Sequence, residues 1–385
     1  MIPAFLRDVR VLRVIGQVVF LALVAAGLGW LYHNLESNLQ AIGLKIGFGF
    51  LNNTAGFPIS EGIKYTSTDT NGYAFLVGVV NTLRVVLVGI VFATLVGTVI
   101  GISRLSGNWL IRKLAGFYVE TIRNIPLLVQ LFFWYFAVFL SAFPLVKNSI
   151  ALPGFIYINK RGLDLPWLLP TASFQRWGWF LIVGLIVASA SYLFRRMQLK
   201  RVGRPGFPLG WALASFIAIA TLGWFLSSAA PLRWDIPLLG RYNFSGGIEF
   251  SASFFALFVG LVTYTGAFIA EIVRAGIQSV DKGQTEAAKA AGFSSGMILR
   301  LVILPQALRV IIPPLTSQYL NLTKNSSLAI LIGYYDLVNI GETIFNQTGR
   351  VVEVLLMIMG SYLIMSLLTS LFMNYYNRRI SLVEH

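Results

Sequence analysis

Apolar residues in this chain come in long blocks broken by short polar stretches, and eight of the blocks are long enough to cross a bilayer. A helix needs roughly 20 apolar residues to span the hydrocarbon core. The blocks run approximately Val14–Tyr32, Tyr73–Ile102, Tyr118–Leu140, Trp177–Phe194, Leu209–Ser227, Ser251–Val273, Val310–Ile332 and Val352–Tyr375. Two wet loops interrupt them. Residues 34–71 carry Gly56, Pro58, Gly62 and the polar run Thr66–Gly72, and residues 141–176 carry Pro144, Pro153, Pro166 and Pro170. Within the second loop, Trp167–Leu169 suits the membrane interface.

One polar stretch does not fit a simple connection. Asp281–Pro305 reads DKGQTEAAKAAGFSSGMILRLVILP. Asp281 is placed to cap a helix, and Gln284 to reach back to it as a capping box. Gly292 stops that helix, and Ser294 or Ser295 caps a second. The second carries Met297, Ile298, Leu301 and Val302 on one face, and Pro305 marks its end. Pro313 and Pro314 then fall in the next span. A short polar helix pair with a small-residue face either packs under the bundle or docks on a partner in water.

Composition agrees with an all-α polytopic membrane protein. The 385 residues are 56% hydrophobic and 12% charged, against about 25% charged in soluble domains. The run Val14–Tyr32 follows Arg7, Arg10 and Arg13, as in a signal peptide, but no small-residue cleavage site follows, so it reads as a retained span. With no cysteine there is no disulfide or thiolate chemistry, and His33 and His385 are too few for a histidine-based metal site.

The net charge of +15 suits loops on one membrane face rather than nucleic acid. With the N-terminus inside, nineteen Lys and Arg residues fall on the inner side and nine on the outer. Both termini and Asp281–Pro305 are then cytoplasmic. No G-x-x-x-x-G-K-[ST] phosphate loop occurs, so any ATP chemistry belongs to another chain.

The pattern E-A-A, three residues, G, nine residues, I-x-L-P marks membrane subunits of bacterial ABC importers. Here it reads Glu286-Ala287-Ala288, Gly292 and Val302-Ile303-Leu304-Pro305, with valine for the usual isoleucine. Asn81-Thr82-Leu83, Glu120 through Gln130, Tyr264-Thr265-Gly266-Ala267 with Glu271, Pro305-Gln306-Ala307 and Lys324 through Leu328 resemble polar amino acid permeases of the histidine/glutamine type. The added spans resemble the enlarged permeases of general L-amino-acid uptake systems.

The resemblance implies a type I importer core in two parts, residues 73–140 and 251–377, the latter including coupling helices at 281–305. Residues 1–72 add a span and a periplasmic loop, and residues 141–250 add a periplasmic loop and two spans. It implies that Glu286, Ala287, Ala288 and Gly292 dock on an ATP-binding subunit, present in two copies, which uses ATP and Mg. It also implies a second related permease, a periplasmic solute-binding protein and an L-amino acid substrate, in a bacterial inner membrane. The chain itself carries no catalytic, cofactor or metal site. An ion-coupled secondary transporter would explain the spans but not the helix pair, and an intramembrane enzyme lacks the residues.

Ionisable residues at membrane depth are functional candidates by default. Glu120 and Glu271 could hold a substrate ammonium, or each could pair with the arginine three residues on, Arg123 and Arg274. Lys324, Asn325 and Ser326 could meet a carboxylate, although Ser326 and Ser327 could equally bond back to their own helix. Tyr264 and Thr265 neighbour Gly266, where a close approach or kink could open a pocket. The apolar stripe Leu131–Tyr135 reads as packing.

Overall fold

The structure, a computed structural model, describes residues 9–41, 47–202, 207–241 and 243–380. Arg7, Lys45, Arg204 and His385 lie outside the described residues.

In chain order the helices are α1 (Val9–Ala41), α2 (Asn71–Ser103), α3 (Trp109–Asn124), α4 (Leu127–Phe132, continued as a π-helix to Ala142), α5 (Phe174–Val202) and α6 (Pro208–Leu226). Then follow α7 (Ala252–Gln278), α8 (Lys282–Ala290), α9 (Ser295–Ile298), α10 (Leu304–Asn325), α11 (Leu337–Thr348) and α12 (Val351–Ile380). Among the described residues, seven helical stretches are long and apolar enough to cross a membrane, or eight if α3 and α4 form one broken span. The chain forms two compact units. One holds Met1–Asn81 and Tyr335–Leu367, the other Thr82–Tyr334 and Leu368–His385.

In the first unit, α1 extends beyond the expected Val14–Tyr32, and its apolar side chains are exposed along its length. The segment before α2 is ordered by its polar groups. Asn71 donates through Nδ2 to the Phe50 carbonyl at 3.0 Å, and the Ala55 N–H donates to the Asp69 carbonyl at 2.8 Å. Asn81 Nδ2 donates to the Tyr335 carbonyl at 2.8 Å, tying α2 to the start of α11. Asp336 caps α11 by accepting from the Asn339 N–H at 2.9 Å.

In the second unit, α7 is the central helix. Its most apolar window is 61% buried, against 6% for α5. In lipid, apolar burial does not drive helices together, so contact depends on close packing. Gly97 and Gly101 of α2 supply it at four-residue spacing. A Cβ on Gly97 would stand 2.8 Å from the Gly266 carbonyl oxygen, and one on Gly101 2.7 Å from that of Ala270. Tyr118 of α3 donates to the Thr263 carbonyl at 2.7 Å, and Thr94 bonds Tyr319 of α10 at 2.8 Å.

Three expectations need correction. The third block, Tyr118–Leu140, is not one helix: α3 and α4 meet at 106°. Pro126 has no N–H to give, and its ring keeps Ile125 out of the helical region, at φ −100° and ψ 128°. Gln130, buried, closes the corner by donating to the Ile122 and Ile125 carbonyls at 2.8 and 3.0 Å. The seventh span does not begin at Val310, because helix runs unbroken from Ser295 to Ile332. Pro305 therefore ends nothing. A π-turn over Leu299–Ile303 precedes it, and that wider turn accommodates its ring. Pro313 and Pro314 also lie inside α10.

The third correction concerns residues 141–250, whose non-helical parts carry short paired strands. Strands β1 (Ile150–Leu152), β2 (Ile156–Asn159), β3 (Gly162–Leu165), β4 (Trp167–Pro170), β5 (Leu232–Asp235), β6 (Leu238–Leu239), β7 (Phe244–Ser245) and β8 (Ile248–Ser251) form three small sheets. The largest has the order β1-β2-β3-β8, all antiparallel. Trp167–Leu169, expected on the interface, forms β4 and pairs with β5. Ser251 both ends β8 and caps α7, accepting from the Phe254 N–H at 3.0 Å, so the sheet is fastened to the central helix. Gly162, at φ +142°, lies too close to the Phe250 carbonyl for any side chain.

Candidate functional site

The helix pair forms as its caps predict. Asp281 accepts from the Gly283 N–H at 2.6 Å, and Ser294 from the Met297 N–H at 3.4 Å. Gln284 makes no reach-back bond among the described residues; Asp281 does the capping alone. α8 ends in a Schellman turn. The Gly292 N–H donates to the Lys289 carbonyl at 2.9 Å and the Phe293 N–H to that of Ala288 at 3.1 Å, with Gly292 at φ +80°. Glu286, Ala287 and Gly292 are exposed, whereas Ala288 is buried, as is Ile298. The outward face therefore consists of Glu286, Ala287 and the Gly292 turn, flanked by exposed Phe293 and Met297. The face of α9 splits likewise: Met297 and Leu301 point outward while Ile298 packs inward.

Glu271 lies near the end of α7 that leads into α8. Its carboxylate accepts from Arg274 on its own helix and from Arg104 just past α2. Arg123 of α3 approaches the same carboxylate at 4.0 Å and stacks over Phe268 at 4.9 Å. One carboxylate thus holds three guanidiniums drawn from three helical segments. Glu120 is exposed, and the expected Glu120–Arg123 pair does not form, because Arg123 turns toward α7. Nothing local in the sequence links Arg104 to Glu271, which lies 167 positions further along the chain.

Lys324 is exposed and Asn325 half-buried at the end of α10. Ser326 is fully buried, and its hydroxyl donates to the Thr323 carbonyl at 2.7 Å. Ser327 does the same to that of Lys324 at 2.7 Å. These bonds turn α10 into a 3₁₀ segment, Ser326–Ile332, which stops at Gly333 with φ +71°. Tyr264 is half-buried against Phe268, and Thr265 is buried. Tyr264 and Thr265 therefore share α7 with Glu271, while Lys324, Asn325 and Ser326 sit together at a helix break. Leu131 is fully buried in the core, against Gly260. Among the described residues no cluster of His, Asp and Glu could hold a metal ion.

Outside the membrane-spanning helices, Asp164 of β3 faces Glu249 of β8 directly across the ladder. Burial first, and then the Glu249 charge, push its carboxyl up to about 6, against a hydrogen bond from Asn159 at 3.0 Å and the charge of Arg161.

A bundle of broken and continuous spans with an exposed polar helix pair suits a transport permease. Residues 180–382 match the family described as the binding-protein-dependent transport system inner membrane component. The chain is 45% identical over 371 residues to the general L-amino acid transport system permease protein AapQ of Rhizobium johnstonii, covering 96% of this chain and 92% of that protein. It is 45% identical over 372 residues to the putative amino-acid ABC transporter permease protein YhdX of Escherichia coli, covering 96% and 94%. It is 39% identical over 417 aligned positions to the glutamate/glutamine/aspartate/asparagine transport system permease protein BztB of Rhodobacter capsulatus, covering 98% and 95%. The chain belongs to the binding-protein-dependent transport system inner membrane component family. It is a multi-pass inner-membrane permease subunit of an ABC importer, and the ion-coupled alternative is set aside.

Proposed function

We propose that this permease carries L-amino acids from the periplasm to the cytoplasm by alternating access. It does so with a second related permease, two copies of an ATP-binding subunit and a periplasmic solute-binding protein. The observation that carries the reading is the near full-length similarity to permeases named for amino acid transport. Both termini and the α8–α9 hairpin face the cytoplasm, which the excess of Lys and Arg on that side supports. ATP and Mg are used by the partner, and this chain does no chemistry.

The ATPase grips the outward face of the hairpin at Glu286, Ala287 and Gly292, while Ala288 packs beneath them. The Schellman turn at Gly292 gives that face a fixed shape, which a coupling element needs in order to transmit force to a two-state bundle. Residues 73–140 and 251–377 act as the core, and 1–72 and 141–250 as additions. The self-packed α5–α6 pair supports that division. Of the candidate substrate residues, Lys324 and Asn325 at the α10 break are the more available to a carboxylate. Glu271 already holds three arginines and serves as the cytoplasmic tie between helices.

The test is ATPase activity and uptake by the reconstituted complex, stimulated by binding protein across a panel of L-amino acids. Stimulation by a subset of L-amino acids is expected. Uptake by this chain alone, without ATP, would overturn the reading.

A further inference from the structure

The first unit holds an open cavity of about 640 Å³ that has no part in the transport reading. It lies between the turn that precedes α2 and the turn that joins α11 to α12, and every residue of its wall belongs to that unit. Its size falls within the roughly 300–1,000 Å³ of small-molecule sites, which are mostly apolar. This wall is polar instead. Phe50 is its one apolar side chain, and the rest is amide, hydroxyl, glycine backbone and the guanidinium of Arg350. Among the described residues no carboxylate lines it.

The wall is held in place by its own hydrogen bonds. On one side a 3₁₀ turn, Gly49–Asn52, is fastened to the start of α2. Asn71 donates its Nδ2 to the Phe50 carbonyl at 3.0 Å and its N–H to the Asn53 carbonyl at 2.9 Å. On the other side Gly349, at φ +69°, ends α11, and the Arg350 N–H donates to the Thr348 hydroxyl at 3.3 Å. Glu353 joins the two sides. It is buried, and one of its oxygens accepts from the Gly47 N–H at 3.2 Å and from Arg350 at 3.4 Å. That carboxylate orients the guanidinium and balances its charge from behind the wall.

A balanced ion pair under a hydrogen-bonding wall suits neither a bare anion, which would meet no net positive charge, nor a bare cation, which would meet a guanidinium. It suits a molecule that carries both charges. The guanidinium fork matches a carboxylate. An ammonium group only donates, and Asn53 and Gln347 offer exposed side-chain oxygens to receive it. Asn71 adds a buried Oδ1 that finds no donor among the described residues, a cost that a donor in the cavity would remove.

We infer that this pocket binds a free α-amino acid as its zwitterion, with the carboxylate on Arg350 and the ammonium among the Asn53, Asn71 and Gln347 oxygens. It is a second amino acid site, built without any residue of the α10 break. Only the side from which the ligand comes rests on the transport reading. Asn71 opens α2 and Arg350 precedes α12, at the helix ends that the orientation proposed above places outside.

The test uses the intact complex in detergent, without binding protein, and equilibrium dialysis against a tritiated mixture of the common L-amino acids. The wild type should retain amino acid that unlabelled mixture displaces. Asn53→Leu with Gln347→Leu should weaken that binding about tenfold or more, the scale of a lost charge-assisted hydrogen bond. Arg350→Lys should do the same while keeping a cation beside Glu353. N-acetylated amino acids and amino acid amides each lack one charge, and should compete at least about tenfold less well than free amino acids. Binding unchanged in both pocket variants overturns the proposal. So does equal competition by acetate or inorganic phosphate, which would mark a simple anion site. Uptake by this chain without ATP would sink the transport reading and leave the pocket result standing. The chain has no cysteine, so an impermeant thiol reagent on Asn53→Cys in vesicles of known orientation reports which side the pocket faces. Labelling from the cytoplasmic side alone would sink the proposed orientation, again without touching the binding result.

Discussion

The Glu271 carboxylate accepts a hydrogen bond from the Arg104 guanidinium, so an ion pair ties the end of α2 to the lower part of α7. Arg274 and Arg123 converge on the same group. The arrangement is unbalanced, with one anion among three cations. Removing the anion leaves three guanidiniums facing one another, whereas removing Arg104 leaves a pair that Arg274 still satisfies. Glu271→Gln should therefore destabilise the complex more than Arg104→Gln, by on the order of 1–3 kcal/mol against less than about 1. Thermal unfolding in detergent measures both. Equal losses would show that the arginines do not depend on Glu271.

Close approach of α2 to α7 makes a second prediction. Gly97→Ala and Gly101→Ala each place a Cβ within 3 Å of an α7 carbonyl. Small residues are what let helices associate in lipid, so both variants should lower assembly of the permease, measured by size exclusion after mild detergent extraction. Gly116→Ala meets nothing within 4 Å and should assemble normally. A normal profile for Gly97→Ala would show that the bundle can shift apart at no cost.

Most of the spans, the helix pair with its Asp281 and Ser294 caps and the turn at Gly292 were legible in the sequence because each rests on local chemistry: apolar length, capping oxygens and a left-handed glycine. The bend at Pro126 was legible in principle, since a proline after a helical run forces its predecessor to be extended. Apolar length on either side of it masks the bend by joining the two halves into one apparent span. The β-sheets over residues 150–251 were not legible. Their strands are two to four residues long, and β3 pairs with a strand some 85 positions further on. Glu271 shows the same limit. Its near partner Arg274 is a helix neighbour that spacing reveals, but Arg104 reaches it only through the packing of α2 on α7.

Substrate contact can be separated from structure at Lys324. The side chain is exposed, and the turn beneath it is held by Ser326 and Ser327 rather than by the ammonium. Lys324→Met should leave assembly and unfolding temperature unchanged. If the ammonium meets a substrate carboxylate, uptake should fall about tenfold, the scale of one charge-assisted hydrogen bond. Unchanged uptake would remove Lys324 from the translocation path.

The sheet that holds Asp164 should respond to pH with a definite sign. The Asp164 carboxyl is raised from 3.8 to about 6, so the folded state holds its proton more tightly than the unfolded chain. Stability from this residue is therefore greatest below about pH 4. It declines as pH rises through the window from 3.8 to 6, and the full penalty stands above it. Asp164→Asn keeps an acceptor for Asn159 and removes the charge facing Glu249. Protease resistance of residues 150–251 should fall from pH 4 to pH 7 in the wild type and stay flat in the variant. A wild-type profile that rises with pH would mean that Arg161, not burial, governs Asp164.

The hairpin makes the last prediction, because its parts fail differently. Glu286 is exposed and makes no ion pair among the described residues. Glu286→Lys should leave the fold intact and abolish ATP-driven uptake while the partner's basal ATPase persists. Gly292 is constrained by backbone shape, at φ +80°, with open space where a Cβ would stand. Gly292→Asn tolerates that shape and should retain more transport than Gly292→Val, for which a positive φ is strained. Docking through side-chain space alone would instead rank the variants by size, with Asn and Val nearly equal. Uptake in inverted and right-side-out vesicles, alongside ATPase rates, separates the two rankings. Full transport by Glu286→Lys would remove the hairpin as the point of grip.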